Sequence, residues 1–408
     1  MHVPTTPLVL AVLVLGYAVV SEQVNRRFVA PALIFMLIGM ALGPFGFHLL
    51  DAGPGTEGYT VLAQLALALI LFNQAAELRL DRIRMHGPVT LRLLVVGIPL
   101  TIVLGTVTAA ALLPVLPWWE AVCLAAIVAP TEAALIEALL KDSRIPERVR
   151  HALSVESGFY DGFALAVLLI ALGLASQQES GTGQMHWAWF IFSTEIVSLL
   201  IGATVGLIGG LVMTWSRRRE WMTDTWAQLA TLALAFVCFQ LGERVEASGF
   251  VAAFTGGLAF SFISRRKADD GLPTQVCDAT AQLLELMVFA MFGAFAVIDG
   301  WQRADWRIVA FAAIGVFGVR MVAVLISLVR TDMPMSSRVF IGWFGPRGIG
   351  TVVLGLLVIN RGDIESGGVI GTVVVVAVTL SLVLHSLTAA PGIRRLAGAQ
   401  RTDSAPRA

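Results

Sequence analysis

Residues 339–359 read VFIGWFGPRGIGTVVLGLLVI. This is an apolar run of about 20 residues, long enough to cross a bilayer, with Gly345-Pro346-Arg347-Gly348 set in its middle. Proline removes a backbone donor and clashes with the preceding turn. The run therefore predicts a transmembrane helix broken at depth, with an arginine in the break. Hydrocarbon tolerates such a break only where the freed N–H and C=O groups line a cavity or find partners. Residues 120–140 carry a second interruption of the same kind, Ala129-Pro130-Thr131-Glu132.

Apolar runs of similar length recur on both sides. They lie near 5–22, 28–47, 58–76, 88–114, 120–140, 152–175, 187–215, 225–242, 248–264, 276–298, 305–329, 339–359 and 367–390, thirteen in all. Hydrophobic residues make up 57% of the 408 and charged ones 14%. A soluble domain carries roughly 25% charged residues, so the composition excludes a soluble fold and predicts an all-α polytopic membrane protein. Twenty-eight basic residues balance 28 acidic ones, which excludes a strongly basic nucleic-acid binder. Three scattered cysteines, Cys123, Cys238 and Cys277, give neither a disulfide framework nor metal-ligand spacing. The first run lacks a basic lead and a cleavage site, so it reads as a retained helix.

The distribution of Lys and Arg tests the count. With the N-terminus outside, 21 basic residues fall on the cytoplasmic side, among them Arg217-Arg218-Arg219 and Arg394-Arg395, and four outside (Arg244, Arg303, Arg307, Arg361). Positive charge marks the cytoplasmic side, and a missed span in mid-chain would destroy that asymmetry. The expectation is a multi-pass protein of the cell (inner) membrane with its C-terminus in the cytoplasm. The breaks sit in spans five and twelve, seven apart. That offset predicts two inverted six-helix repeats, residues 1–176 and 225–390, joined by a linking helix at 187–215 and followed by a short polar tail, 391–408. Paired interruptions of this sort point to a secondary transporter with its site at the repeat interface.

Ionisable groups at membrane depth are the candidate functional residues, because each is costly unless paired or wet. At 1.5 Å per residue, Glu132 lies about 18 Å below the outer end of its span, Asp161 about 14 Å above the inner end of span six, and Arg347 about 12 Å into span twelve. All three sit near the midplane of a ~30 Å core. Within Glu156-Ser157-Gly158-Phe159-Tyr160-Asp161-Gly162, Ser157 and Asp161 share one helical face while Glu156 and Tyr160 share the adjacent one. Other charges have plainer readings: Glu137–Lys141 as a surface ion pair, Arg92 as a snorkelling side chain, His385 as a packed, hydrogen-bonded histidine. Arg320 fits either a structural salt bridge or an electrostatic role near the site.

With those residues in view, the chain resembles the NhaP-like sodium/proton antiporters, relatives of the eukaryotic NHE exchangers within the monovalent cation:proton antiporter superfamily. The stretch Arg144-Ile145-Pro146-Glu147-Arg148-Val149-Arg150, continuing into Ala152-Leu153-Ser154-Val155-Glu156-Ser157-Gly158, is similar to that family's entry into its sixth helix. Gly342-Trp343-Phe344-Gly345-Pro346-Arg347-Gly348-Ile349 is similar to its signature in the second broken helix. The resemblance covers nearly the whole chain. It implies the NhaA-like antiporter fold with crossed broken helices, an ion-carrying core that moves against a dimerisation domain, and a homodimer. It also implies a cation and proton site at Thr131, Glu132, Ser157 and Asp161, with Glu156, Tyr160 and Arg347 as its electrostatic core and Arg347 paired to Glu156. Two positions depart from the family: Glu132 stands where it has Asp, and Tyr160 where it has Asn.

The mechanism expected is competition. Ionised Asp161, with oxygens from Ser157, Thr131, broken-helix carbonyls and Glu132, binds a dehydrated monovalent cation (Na⁺, with K⁺ or Li⁺ as alternatives), and protonation of the same acid releases it. Alternating access then gives electroneutral Na⁺/H⁺ exchange, or K⁺/H⁺ exchange, with no cofactor and no ATP motif. A channel or sensor on the same scaffold is the alternative from another class. An enzyme is not expected, because Ser157 has no histidine at its depth to act as a base.

Overall fold

The computed structural model describes residues 5–50, 57–78, 87–132, 135, 137–140, 142–180, 184–267, 274–361 and 364–403. Among the described residues the regular structure is all helical, with turns and short irregular segments between the helices. In chain order the helices are α1 (Thr6–Asn25), α2 (Pro31–Leu42), α3 (Glu57–Glu77), α4 (Pro88–Leu112), α5 (Trp118–Val128), α6 (Glu147–Ser180) and α7 (Gln184–Arg218). They continue with α8 (Asp224–Arg244), α9 (Gly249–Lys267), α10 (Gln275–Arg303), α11 (Trp306–Ser327), α12 (Met335–Trp343), α13 (Ile349–Arg361) and α14 (Gly367–Asp403). Among the described residues nine helices are long and apolar enough to cross a membrane, and four shorter apolar helices accompany them: α2, α5, the body of α9, and α13. Thirteen spans were expected, and nine helices reach spanning length among the described residues. The Glu137–Lys141 pair lies outside the described residues, as do Arg79, Arg82 and Arg84.

The outermost side chains confirm which solvent the chain is built for. Leu15 and Val19 on α1 are 69% and 81% exposed, a placement that water penalises and lipid tails accept.

The chain forms two compact units. The first comprises Met1–Tyr59, Asp81–Tyr160 and Leu286–Ala408. Its tightest contact is backbone on backbone: a Cβ on Gly39 of α2 would stand 1.9 Å from the Ala290 carbonyl of α10, and one on Gly293 would stand 1.9 Å from that of Met36. Small residues permit this approach between membrane helices. Helices α4 and α11 also pack together, and each contains a π-helical turn, Leu93–Gly97 and Ile314–Val319. The first turn lies against Arg320–Ser327 and the second against Ile98–Leu112. An apolar core, including Leu93, Leu153, Leu328, Phe340, Ile341 and Ile393, gathers α4, α6, α11, α12 and α14.

The second unit comprises Thr60–Leu80 and Asp161–Glu285. Here Gly202 and Gly206 of α7 face the carbonyls of Ala252 and Gly256 on α9, at 2.2 Å from where each Cβ would be. Gly257 of α9 meets the Phe72 carbonyl of α3 in the same way.

The final helix departs from expectation. A span ending at 390 and a polar tail were expected, yet α14 continues through Pro391 to Asp403. An interior proline forfeits one backbone hydrogen bond and bends a helix without having to end it.

Candidate functional site

The expected break in residues 339–359 is present. Helix α12 ends at Trp343, residues 344–348 are not helical, and α13 begins at Ile349. Carbonyls at the end of α12 and within the break find side-chain donors. Arg320 Nη2 donates to Ile341 O at 3.2 Å, His385 Nε2 lies 2.8 Å from Trp343 O, and Arg347 Nη1 donates to Gly345 O. Two of the three donors are cationic guanidinium groups, and cations suit the negative end of a helix dipole.

The start of α13 is capped by an acid. The Glu132 carboxylate accepts hydrogen bonds from the backbone N–H groups of Ile349 and Gly350, which suits the positive end of that helix. Its own backbone N–H donates to Pro346 O at 2.8 Å, so the non-helical segments that follow α5 and α12 meet and share a hydrogen bond. Gly348 is what allows the close approach: a Cβ there would fall 2.7 Å from Cβ, Cγ and Oε2 of Glu132. Among the described residues the other carboxylate oxygen, Oε1, has no hydrogen-bond partner, although Glu132 is only 2% exposed.

Glu156 has a different partner from the one the family resemblance implied. Its carboxylate is held in a bidentate pair by Arg320, with Nη1–Oε1 at 2.8 Å and Nη2–Oε2 at 3.0 Å, and both side chains are buried. Arg347 is fully buried too, but its guanidinium reaches only carbonyls, those of Gly345 and Gly315 (3.4 Å), while its backbone N–H donates to Ser381 Oγ at 2.7 Å. The reason is geometric. Arg320 projects from α11 with reach to α6, whereas Arg347 sits in the break and spends its donors on carbonyls of the break and of α11. Arg320 is therefore the salt-bridge residue, and no ion pair joins Arg347 to Glu156 among the described residues.

Two of the expected cation ligands meet: Thr131 Oγ1 and Ser157 Oγ are 3.2 Å apart and both are buried. A hydroxyl has two lone pairs and a rotatable proton, so this pair can turn oxygen toward a cation and hydrogen away from it. Asp161, 3% exposed, follows Ser157 by one turn on the same continuous helix and belongs to the second compact unit. Tyr160 is fully buried, and its hydroxyl lies beside Thr101 without a hydrogen bond of normal geometry. The phenol therefore fills space where an amide would present a donor and an acceptor.

Arg320 takes the structural salt-bridge reading and His385 is packed and hydrogen-bonded as expected, while Ser381, which the sequence did not single out, joins them at the break. Arg92, expected to snorkel, does reach a boundary group, donating to Val329 O at 2.6 Å.

Comparison with known proteins fits this geometry. Residues 9–394 match the family described as "Sodium/hydrogen exchanger, transmembrane". The K(+)/H(+) antiporter NhaP of Alkalimonas amylolytica is 27% identical over 357 residues, covering 85% of this chain and 60% of that protein. A probable Na(+)/H(+) antiporter of Schizosaccharomyces pombe is 26% identical over 364 residues, covering 84% of this chain and 46% of that one. The chain thus spans about half the length of the curated relatives it matches. Among solved structures, the sodium proton antiporter MjNhaP1 of Methanocaldococcus jannaschii, determined at pH 8, superposes with a TM-score of 0.78 at 18% identity, covering 98% of this chain and all of that one. The fold is shared.

Proposed function

Because the chain belongs to the transmembrane sodium/hydrogen exchanger family, we propose that it is a monovalent cation/proton antiporter in which the two ions compete for Asp161. The observation that supports this reading is the meeting of two non-helical segments through the Glu132–Pro346 hydrogen bond beside paired hydroxyls, Thr131 and Ser157, with a buried acid one turn along the helix from Ser157. Ionised Asp161 draws a dehydrated cation to oxygens of Ser157 and Thr131, and Glu132 Oε1, which has no hydrogen-bond partner among the described residues, is a further oxygen. A proton on Asp161 removes that attraction. Either loaded form is neutral and crosses, while the bare charged form is held back by the cost of exposing a charge to lipid.

Charge balance favours electroneutral exchange. Around the break, Arg320 and Arg347 offset Glu156 and Glu132, and in the competition scheme one cation at Asp161 exchanges for one proton. The chemistry does not by itself separate Na⁺ from K⁺. Na⁺ is the first reading, and the K(+)/H(+) label of the Alkalimonas relative keeps K⁺ beside it.

The scaffold is read as two inverted six-helix repeats, 1–176 and 225–390, around a linking helix at 187–215, thirteen spans in all. The breaks in α5 and α12–α13 support this, and so do the π-turns in α4 and α11, which stand in spans the same seven apart. The count of basic residues supports an N-terminus outside and a C-terminus in the cytoplasm of the cell membrane. Assembly as a homodimer follows from the family resemblance.

The test is proton flux in proteoliposomes against Na⁺, K⁺ and Li⁺ gradients, with and without a membrane potential. Wild type should show saturable, potential-independent exchange, and Asp161→Asn should abolish it. Survival of the flux in Asp161→Asn would sink the competition scheme, and a conductance without proton coupling would favour a channel.

A further inference from the structure

The last helix carries a row of residues that the transport scheme does not use. Ser381, His385, Thr388 and Gly392 are spaced four, three and four apart, the interval that places side chains along one face of a helix. Every member of the row meets the break between α12 and α13. Ser381 Oγ accepts the backbone N–H of Arg347 at 2.7 Å. His385 Nε2 lies 2.8 Å from the Trp343 carbonyl. Thr388 Oγ1 accepts the indole N–H of Trp343 at 2.9 Å. Gly392 leaves room for the Phe344 ring, whose Cε2 and Cζ would stand 2.7 Å from a Cβ there.

The central pair forms a chain of contacts. Trp343 O can only accept, so a hydrogen bond from His385 there needs a proton on Nε2. Nδ1 lies 3.1 Å from Ser381 Oγ and 2.8 Å from Ser381 O, so both of its contacts run to the residue one turn back. Ser381 Oγ in turn receives the Arg347 amide. The imidazole and the Ser381 hydroxyl thus connect the last helical carbonyl before the break to an amide within it, four residues on. A continuous helix would join residues four apart directly. Here two side chains of α14 stand in for that missing bond. Tilted aromatic contacts flank the ring: Phe317 lies 5.4 Å from it and Phe344 6.2 Å, centroid to centroid, and Phe317 also stacks on Trp343 at 5.1 Å.

We propose that His385 and Ser381 are positioning residues for the transported cation, acting as a clasp on α14 that sets the shape of the break and so the placement of Glu132 and Arg347 around the ion site. This rests on the antiporter reading for its functional consequence, though not for its structural one. The lever is short: Glu132 is bonded to Pro346 O and to the first amides of α13, and Arg347 is the residue between them and the clasp.

Two measurements on the full-length protein separate the structural claim from the transport reading. The first is hydrogen–deuterium exchange of the peptide containing residues 343–348. His385→Leu and Ser381→Ala should each speed exchange there, by about five- to tenfold for one unmade buried hydrogen bond, with the peptides of α7 and α9 unchanged. The second is cation-driven proton flux. Both variants should raise the apparent KM for the cation by a similar factor while Vmax stays within about twofold, which a general loss of folding would not produce. His385→Gln, whose uncharged side chain keeps one N–H donor and one acceptor, should recover most of the KM. Unchanged exchange at 343–348 in Ser381→Ala, the smaller substitution, would overturn the clasp. Faster exchange with an unaltered KM would overturn its role in the ion site. Wild type without cation-driven flux would overturn the antiporter reading and leave the exchange result standing.

Discussion

Removing Arg320 should cost more than any other single substitution at the break, and the structure supplies the magnitude. Its guanidinium makes two hydrogen bonds to the Glu156 carboxylate and one to Ile341 O, with both side chains almost wholly inaccessible. Arg320→Met keeps the bulk and removes the charge, so an ionised carboxylate is left in an apolar surround with neither donor. Breaking one side of a buried ion pair costs about 3–5 kcal/mol. Replacing both sides by apolar residues of similar size removes the stranded charge along with the attraction, and Arg320→Met with Glu156→Leu should come back to within about 2 kcal/mol of wild type. Arg347→Met loses bonds to neutral carbonyls alone and should cost about 1–3 kcal/mol, with no coupling to Glu156. The assay is denaturant unfolding in mixed micelles, followed by fluorescence of the ten tryptophans, as a double-mutant cycle. Strictly additive losses for Arg320 and Glu156, with a coupling below about 0.5 kcal/mol, would refute the pairing. So would a stronger coupling of Glu156 to Arg347 than to Arg320.

Gly348→Ala should lower folded yield and flux, since the new methyl would lie 2.7 Å from the Glu132 carboxyl; adding Glu132→Asp, which withdraws that carboxyl by one methylene, should restore part of both, and failure to do so would show that the clash is elsewhere. Gly39→Ala and Gly293→Ala should each nearly eliminate monodisperse protein in gel filtration, because carbonyl oxygens stand 1.9 Å from either Cβ position. In the loop before α6, hydrogen bonds from Arg144 hold the Asp142 carboxyl below its ordinary range. A depressed folded value means stability that is present above the unfolded value near 3.9 and lost as pH falls through the folded one. Arg144→Gln should therefore be less stable than wild type at neutral pH, by a small margin at this solvent-exposed site, with the two curves converging in acid; a constant gap down to low pH would contradict the assignment.

The spans and the breaks were legible because each has a local cause. Apolar length marks a span, and Pro130 and Pro346 mark missing donors. The pairings across the break were not, because nothing near Glu156 distinguishes Arg320, which is 164 residues away along the chain, from Arg347, which belongs to the recognisable motif. Both are single arginines in apolar runs, and only the packing of α11 against its neighbours decides which guanidinium reaches the carboxylate. The same holds for His385. Its spacing from Ser381, Thr388 and Gly392 is visible in the sequence, but a helix apolar on all sides gives no sign of which face looks inward. The continuation of α14 past Pro391 was hidden for another reason: proline weakens a helix interior by an amount that surrounding contacts can offset, so its presence sets a cost and not an end point.

The balance of charge at the break has an electrical meaning as well. A membrane potential does about 2.3 kcal/mol of work on each elementary charge carried through 100 mV. Arg320 and Arg347 with Glu156 and Glu132 sum to zero, so this cluster can be displaced along the membrane normal as one body without being driven or braked by the field. On the antiporter reading proposed above, the potential then does no net work on this cluster, and the direction of exchange is left to the concentrations of the ions on either side.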